Sequence, residues 1–328
     1  MSSPLPAAWR APCAPPPLDP QIVEYMQRMA AEGGRYPKRH TIPIDEGRAN
    51  AERVRAPWTK GGPVMARTIE HAVPTRHGNV RIRVHYPETR TLRGALIYIH
   101  GGGFVLFSLD THDRVMREYA GRAGIAVIGI DYTRAPEASF PQPLDECVDV
   151  MGWLADNAPA LDIDPVQLFI GGDSAGANLS VGTCLTLRDE GRLLPLGMLL
   201  NYGVYSTDLY RESMARYGAG EYGLTLHMMV WFYGLYLRRP EDFSDPRLAS
   251  IEARLTGLPP ACLVMTECDP LHDDNLEMSK RLTAAGVPVQ ATLYPGTVHG
   301  FLEAVAIADV ACRAFDDSVR WLATLAST

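Results

Sequence analysis

A ten-residue stretch, Phe169 to Asn178, constrains the fold of this chain more than any other. It is an apolar run that enters the sequence Gly-Asp-Ser-Ala-Gly at residues 172–176 and continues as a predicted helix to about Glu190. In a Gly-x-Ser-x-Gly turn of this kind, strand and helix pass so close that only small residues fit on either side. The turn lifts the Ser174 hydroxyl clear of the sheet edge. It also leaves the Ala175 amide at a helix N-terminus, where it can face negative charge. Ser174 is therefore a candidate nucleophile, although a tight turn with a capping serine also fits.

Three consecutive glycines follow Ala95–Ile99, a wholly apolar run that we predict to be a buried strand. Backbone N–H groups in such a loop can face an incoming carbonyl because no side chain stands in the way. We expect amides of this loop, together with that of the residue after Ser174, to bind the oxyanion of a tetrahedral intermediate. A flexible loop is the alternative interpretation. The candidate oxyanion-hole residues are Gly101, Gly102, Gly103 and Ala175, with His100 and Asp173 as supporting members of the two motifs.

An acidic group follows the predicted strand Cys262–Thr266. A carboxylate at Asp269 can hold an imidazole in one tautomer and stabilise its protonated form. Glu267, Asp273 and Asp274 compete for this role. For the two later aspartates, the alternative role is the N-cap of the helix that follows.

His299 lies in the loop after the last predicted strand, Val289–Tyr294, and is followed by Gly300. The three candidates thus occur in the chain order Ser, Asp, His, which is the order of the α/β-hydrolases. The other histidines lack this context. We find neither metal-ligand spacing nor a dinucleotide fingerprint, so we expect no metal and no cofactor.

Composition limits the function classes. The 328 residues carry a net charge of −7, which argues against nucleic acid as a partner. No apolar stretch approaches a membrane span, and the first 20 residues lack the pattern of a signal peptide. The six cysteines form no C-x-x-C pair and lie mostly in apolar runs, so we expect free thiols and a cytoplasmic location.

Predicted strands alternate with predicted helices along most of the chain, which indicates a mainly parallel central sheet flanked by helices. The further elements are a hairpin (Thr68–Pro74 and Val80–Tyr86), helices Thr111–Ala123 and Pro141–Asn157, strands Ile125–Ile130, Leu168–Ile170 and Met198–Tyr202, and a closing helix from about Ala304 to Leu325.

The alternation is interrupted by an aromatic, glycine-rich segment, residues 204–246, in which a helix over Leu224–Leu237 fits the spacing. An insertion there lies over the carboxyl edge of the sheet. With residues 1–60 it is expected to form a cap; extra core for a larger domain is the alternative. We therefore expect one domain over 1–328, whose catalytic core spans about 61–203 and 247–328.

Taken together, these motifs resemble the hormone-sensitive-lipase-like branch (family IV) of the α/β-hydrolases. The matching blocks are His-Gly-Gly-Gly at 100–103, Asp-Tyr-Thr-Arg-Ala-Pro-Glu at 131–137, Gly-Asp-Ser-Ala-Gly at 172–176, Asp-Pro-Leu at 269–271 and His-Gly-Phe at 299–301. The resemblance covers about Thr68 to Leu325 and implies an α/β-hydrolase fold with Ser174, Asp269 and His299 as a catalytic triad. It also implies that the second and third glycines supply oxyanion amides, while Gly101 shapes the loop.

The resemblance implies a serine carboxylesterase that forms an acyl-enzyme on short acyl chains, acetyl to about hexanoyl. An amidase or lactonase of the same fold is an alternative. A ligand-binding receptor is another, although such a protein can dispense with His299. The expected partner is a small-molecule ester, without nucleic acid or membrane, and the protein is expected to be a monomer or a homodimer.

Overall fold

The computed structural model describes residues 16–327, and an eight-stranded sheet forms its centre. The strands are β1 (Met65–Thr75), β2 (Gly78–Pro87), β3 (Ala95–Ile99), β4 (Ala126–Asp131), β5 (Leu168–Asp173), β6 (Met198–Asn201), β7 (Ala261–Cys268) and β8 (Val289–Val298). Their order across the sheet is β1-β2-β4-β3-β5-β6-β7-β8. Strand β2 is antiparallel to both of its neighbours, and all other pairs are parallel. The predicted mainly parallel sheet is confirmed.

Helices cover both faces of this sheet. They are α1 (Pro20–Gly33), α2 (Ile44–Arg55), α3 (Asp113–Ala123), α4 (Gln142–Asn157), α5 (Ala175–Asp189), α6 (Glu212–Tyr217), α7 (Leu226–Tyr236), α8 (His272–Ala284) and α9 (Asp309–Ala326). Alternate residues of β3 belong to two separate cores. Leu96 and Tyr98 pack with residues of α3 and α9, whereas Ile97 and Ile99 pack with residues of α4 and α5. A strand that is buried on both faces has to be apolar along its whole length.

Among the boundaries that differ from the sequence prediction, three lie close to the candidate acid and base. Strand β8 continues past Tyr294, its predicted last residue, to Val298, so His299 follows the strand directly. Helix α9 begins at Asp309, because a short 3-10 helix (Phe301–Ala306) precedes it. Helix α8 begins at His272 with Leu271 at its N-cap, so the predicted capping role of the two following aspartates is wrong.

Residues 16–60 and 204–246, which we call the cap segments, meet at the edge-to-face contact of His40 with His227, whose ring centroids are 4.2 Å apart. Residues 1–15 of the predicted cap, with Cys13, lie outside the described residues. Cysteines 147, 184, 262, 268 and 312 are free thiols. No helix in the described part of the chain is long and apolar enough to cross a membrane.

Candidate active site

Ser174 occupies a strained turn between β5 and α5, with φ 54° and ψ −118°. Its N–H donates to the carbonyl of Asn201 on the neighbouring strand β6, at 2.9 Å. A Cβ at Gly172 or Gly176 would overlap the carbonyl oxygen of Ile99 on β3. The two glycines therefore let the turn press against β3, and this contact sets the position of the serine.

The structure brings His299 and Asp269 to the Ser174 hydroxyl. His299 Nε2 lies 2.9 Å from Ser174 Oγ, and His299 Nδ1 lies 2.8 Å from Asp269 Oδ2. A carboxylate accepts hydrogen bonds, so Nδ1–H donates to Asp269 and Nε2 is left to accept the serine proton. The three groups form one continuous chain of hydrogen bonds.

Asp269 is fully buried and is held from two further directions. The Thr266 hydroxyl donates to Oδ2 at 2.5 Å, and the Leu271 amide donates to Oδ1 at 2.8 Å. These donors orient the carboxylate toward the imidazole. The sequence predicts no role for Thr266, although it is the last residue of the predicted strand and lies three residues before Asp269.

The three competing carboxylates bind backbone amides instead of His299. Glu267 accepts from an amide of β8 and Asp273 from an amide of α6, each at 2.8 Å. Asp274 accepts from two amides at the start of the 204–246 segment, at 2.8 and 2.9 Å. Burial raises the pKa of Asp274 to about 7 even though these amides and Arg211 act to lower it. All three therefore hold local structure together rather than orient the imidazole.

The glycine loop after β3 differs from the predicted oxyanion hole at one residue. The Gly101 amide donates to Asp173 Oδ1 at 3.1 Å, so it is not free to bind an oxyanion, and its predicted place in the oxyanion hole is wrong. Within residues 16–327, the amides of Gly102, Gly103 and Ala175 make no hydrogen bond. Gly102 and Gly103 have φ of 112° and 61°, a backbone region that side chains disfavour.

Asp173 connects this loop to the turn that holds Ser174. Besides the Gly101 amide, its buried carboxylate accepts from the Tyr98 hydroxyl at 3.0 Å and faces His112 Nε2 at 3.3 Å. Burial acts to raise the pKa of Asp173, but the charge and hydrogen bond of His112, the hydrogen bond of Tyr98 and the charge of Arg55 outweigh it, so the pKa falls to about 2. No role for His112 is predicted from the sequence.

His100 supports the same loop from the other side. Its Nδ1 donates to the Gly101 carbonyl at 2.7 Å, and its ring stacks on Tyr132 with centroids 4.4 Å apart. Burial, followed by the charge of His112, lowers the pKa of His100 to about 4. It is therefore neutral near pH 7 and lies in the loop as a structural group.

A cavity of about 580 Å³ opens onto Ser174 and His299, and both cap segments line it. Tyr25, Met26 and Met29 come from α1, while Leu224, Met228 and Phe232 come from the insertion. The Phe232 ring packs so closely over Gly103 that a Cβ there would overlap it. The wall of the cavity is thus mainly apolar and belongs largely to the cap segments.

Comparison with known proteins agrees with this geometry. The family model described as the α/β-hydrolase fold matches residues 96–303. An acetyl esterase of Salmonella dublin is 36% identical over 271 residues, which cover 80% of this chain and 82% of that protein. A hyperthermophilic esterase from the archaeon Pyrobaculum calidifontis superimposes with a TM-score of 0.88 at 31% identity, over 95% of this chain and 100% of that one. An ester hydrolase from the metagenome of Lake Arreo gives a TM-score of 0.89 at 31% identity, over 95% and 100%.

The fold and the matched region define an α/β hydrolase. Within that class, the chain belongs to the hormone-sensitive-lipase-like family of serine carboxylesterases.

Proposed function

We propose that this enzyme hydrolyses short-chain acyl esters with Ser174 as nucleophile, His299 as general base and acid, and Asp269 as the group that orients His299. The observation that carries the proposal is the unbroken hydrogen-bond chain from Ser174 Oγ through His299 to Asp269 Oδ2, beside three backbone amides without partners.

In the first half-reaction, Ser174 Oγ attacks the ester carbonyl carbon while its proton passes to His299 Nε2. The carbonyl oxygen becomes an oxyanion, which the amides of Gly102, Gly103 and Ala175 stabilise. The carbon–oxygen bond to the alcohol then breaks. The alcohol leaves with the proton from Nε2, and an acyl group remains on Ser174.

In the second half-reaction, water attacks the acyl carbon and gives one proton to His299 Nε2. The same amides stabilise the second oxyanion. Its collapse breaks the bond to Ser174 Oγ, which recovers the proton, and the acid is released. Asp269 stabilises the imidazolium that forms in each half-reaction.

Short acyl chains are the substrates that the cavity favours. Phe232 covers the glycine loop directly, so it limits the space next to the reacting carbonyl. The relatives named acetyl esterase support the same class of substrate. We propose acyl groups from acetyl to about hexanoyl, with the cap segments forming a lid that excludes water from the cavity.

Two finer points also belong to the proposal. We place the enzyme in the cytoplasm on the basis of its free thiols. We also expect it to act as a monomer or a homodimer, which gel filtration at several protein concentrations will distinguish.

The decisive measurement is kcat/KM for p-nitrophenyl esters from acetyl to dodecanoyl, alongside matched anilides and lactones. We expect a maximum at six carbons or fewer and low rates on anilides and lactones. A maximum at dodecanoyl would contradict the acyl-chain assignment. Faster anilide or lactone turnover would favour an amidase or lactonase.

The Ser174→Ala variant tests the nucleophile in the same assay. We expect kcat to fall about a millionfold, because nucleophile and base act as a unit. In the wild type, a serine-directed organophosphate should add to Ser174 and abolish turnover. Wild-type turnover by the variant would end the assignment.

A further inference from the structure

Among residues 16–327, two guanidinium groups line the active-site cavity, and neither belongs to a recognised motif. Arg39 comes from the short turn between α1 and α2, and Arg55 comes from the end of α2. Both are part of the cap segment 16–60, as are the apolar side chains of α1 that line the cavity.

The charge of Arg55 is balanced by a neighbouring carboxylate. It forms an ion pair with Glu303, and its guanidinium lies 3.6 Å from the centroid of the Phe107 ring. The Tyr25 hydroxyl donates to the other oxygen of Glu303 at 3.2 Å. This group is therefore a closed ion pair in the cavity wall.

Arg39 is different. It is half-buried, and across the described residues no carboxylate or other acceptor contacts its guanidinium. The first fifteen residues contain no Asp or Glu, so they hold no acidic side chain that could pair with it. Burial, followed by the like charge of Arg55, lowers the pKa of Arg39 to about 10, so it stays charged at neutral pH.

The acidic groups of the same cavity do not offset this charge. Glu303 is paired with Arg55, and Asp173 is bound by Tyr98, Gly101 and His112. Glu221 lies on an exposed turn at the rim. A half-buried cation without a partner costs folding free energy, and a ligand anion would offset that cost.

We propose that Arg39 is an anion-binding subsite of this active site, and that the preferred ester carries a carboxylate that pairs with its guanidinium. This inference rests on the proposed ester hydrolysis and specifies the substrate class further. An arginine suits the task because its planar donor pair matches both oxygens of a carboxylate.

The carboxylate can be carried on the acyl group or on the alcohol, and two pairs of esters distinguish these cases. For the acyl side, mono-p-nitrophenyl adipate is compared with its neutral methyl ester. For the alcohol side, 4-acetoxybenzoate is compared with methyl 4-acetoxybenzoate. In each pair, the measured quantity is the ratio of kcat/KM for the anionic ester to that for the neutral ester.

We expect this ratio to exceed one in the wild type for one pair and to fall about tenfold in Arg39→Met, as the charge pair is lost. Arg39→Lys should keep part of the preference, because it retains the charge but not the planar donor pair. Lys38→Met is the matched control. It removes the same charge from the exposed neighbouring residue, which does not line the cavity, and should leave the ratio unchanged.

Three results would overturn the subsite: ratios of one or below for both pairs in the wild type, a preference that survives Arg39→Met, or an equal loss in Lys38→Met, which would indicate a general surface field. Titration calorimetry of Ser174→Ala with both pairs of esters gives a readout that needs no turnover. In one pair, the anionic ester should bind about tenfold more tightly than the neutral one, and Arg39→Met in this background should remove the difference. If no ester is hydrolysed but this difference is found, the proposed reaction fails while the subsite stands.

Discussion

The catalytic core and the cap segments differ in how many hydrogen-bond partners fix the side chains that line the cavity. In the core, the two buried carboxylates near Ser174 are each fixed by several partners, as Asp269 is by Thr266, Leu271 and His299. In the cap, the lining is mainly apolar and includes Arg39, whose guanidinium contacts no acceptor among the described residues. Bond breaking demands positions fixed to a fraction of an ångström, whereas substrate choice depends on which surfaces meet the remainder of the ester.

The family resemblance is carried by the core. The family model begins at residue 96, and all five blocks that carry the resemblance lie in the core. The solved structures superimpose over 95% of this chain, which includes most of the cap segment 16–60, so that segment belongs to the shared fold as well.

After Ser174→Ala, the largest effect should come from replacing one carboxylate oxygen in the core by an amide nitrogen. Asp269→Asn should lower kcat on p-nitrophenyl acetate about ten-thousandfold, because the amide no longer holds His299 in the reactive tautomer. Asp273→Asn makes the same chemical change on α8, where the carboxylate accepts from an amide of α6 and does not contact His299, and should stay within about threefold of the wild type. Equal losses in the two variants would show that the orienting acid has been misassigned.

An intermediate effect concerns stability in acid. The pKa of Asp173 is lowered from 3.8 to about 2, so the folded state favours its ionised form. This contribution, on the order of 2 kcal/mol, is present above pH 4 and is lost as the pH falls toward 2. Urea unfolding at pH 6 and pH 3 should show the stability gap between wild type and Asp173→Asn narrowing by about 1 kcal/mol. A gap of equal size at both pH values would show that Asp173 does not supply this acid sensitivity.

The smallest effect should come from the cap. Phe232→Ala removes the ring above Gly103 and should raise the ratio of kcat/KM for decanoyl over acetyl p-nitrophenyl esters about tenfold, because longer chains gain room. Val230→Ala, on the exposed side of the same helix α7, is the control and should leave the chain-length profile unaltered. An unchanged profile in Phe232→Ala would remove this residue from the acyl pocket.

The sequence predicts the bounds of a strand correctly where a clear change in residue type marks its end. Strand β3 spans Ala95–Ile99 as expected, because an unbroken apolar run stops at a glycine loop. For strand β8, the sequence predicts an end at Tyr294, with Pro295 and Gly296 in the loop that follows. Instead, Gly296 adopts a φ of 68° and the strand continues to Val298. Pairing of Cys268 on β7 with Val298 keeps this end of β8 in the sheet, although the local sequence does not favour a strand.

The residues of the candidate site also fall into those that a sequence motif predicts and those that only the structure reveals. Ser174, Asp269 and His299 were found because each lies in a short motif at the end of a strand, and the structure brings the three together. His112 was missed because its contact with Asp173 joins residues 61 positions apart. Arg39 lies in a turn without any motif, and its lack of a partner emerges only from the packed structure.

The contact of Gly172 and Gly176 with the Ile99 carbonyl also bears on how this enzyme can be re-engineered. Libraries that aim at new substrates should leave residues 172–176 unchanged. A larger residue at Gly172 or Gly176 would push strand β3, and with it the glycine loop, away from the turn that holds Ser174. Diversity introduced on the inner sides of α1 and α7 meets no such obstacle. Directed evolution should therefore accumulate its successful changes there.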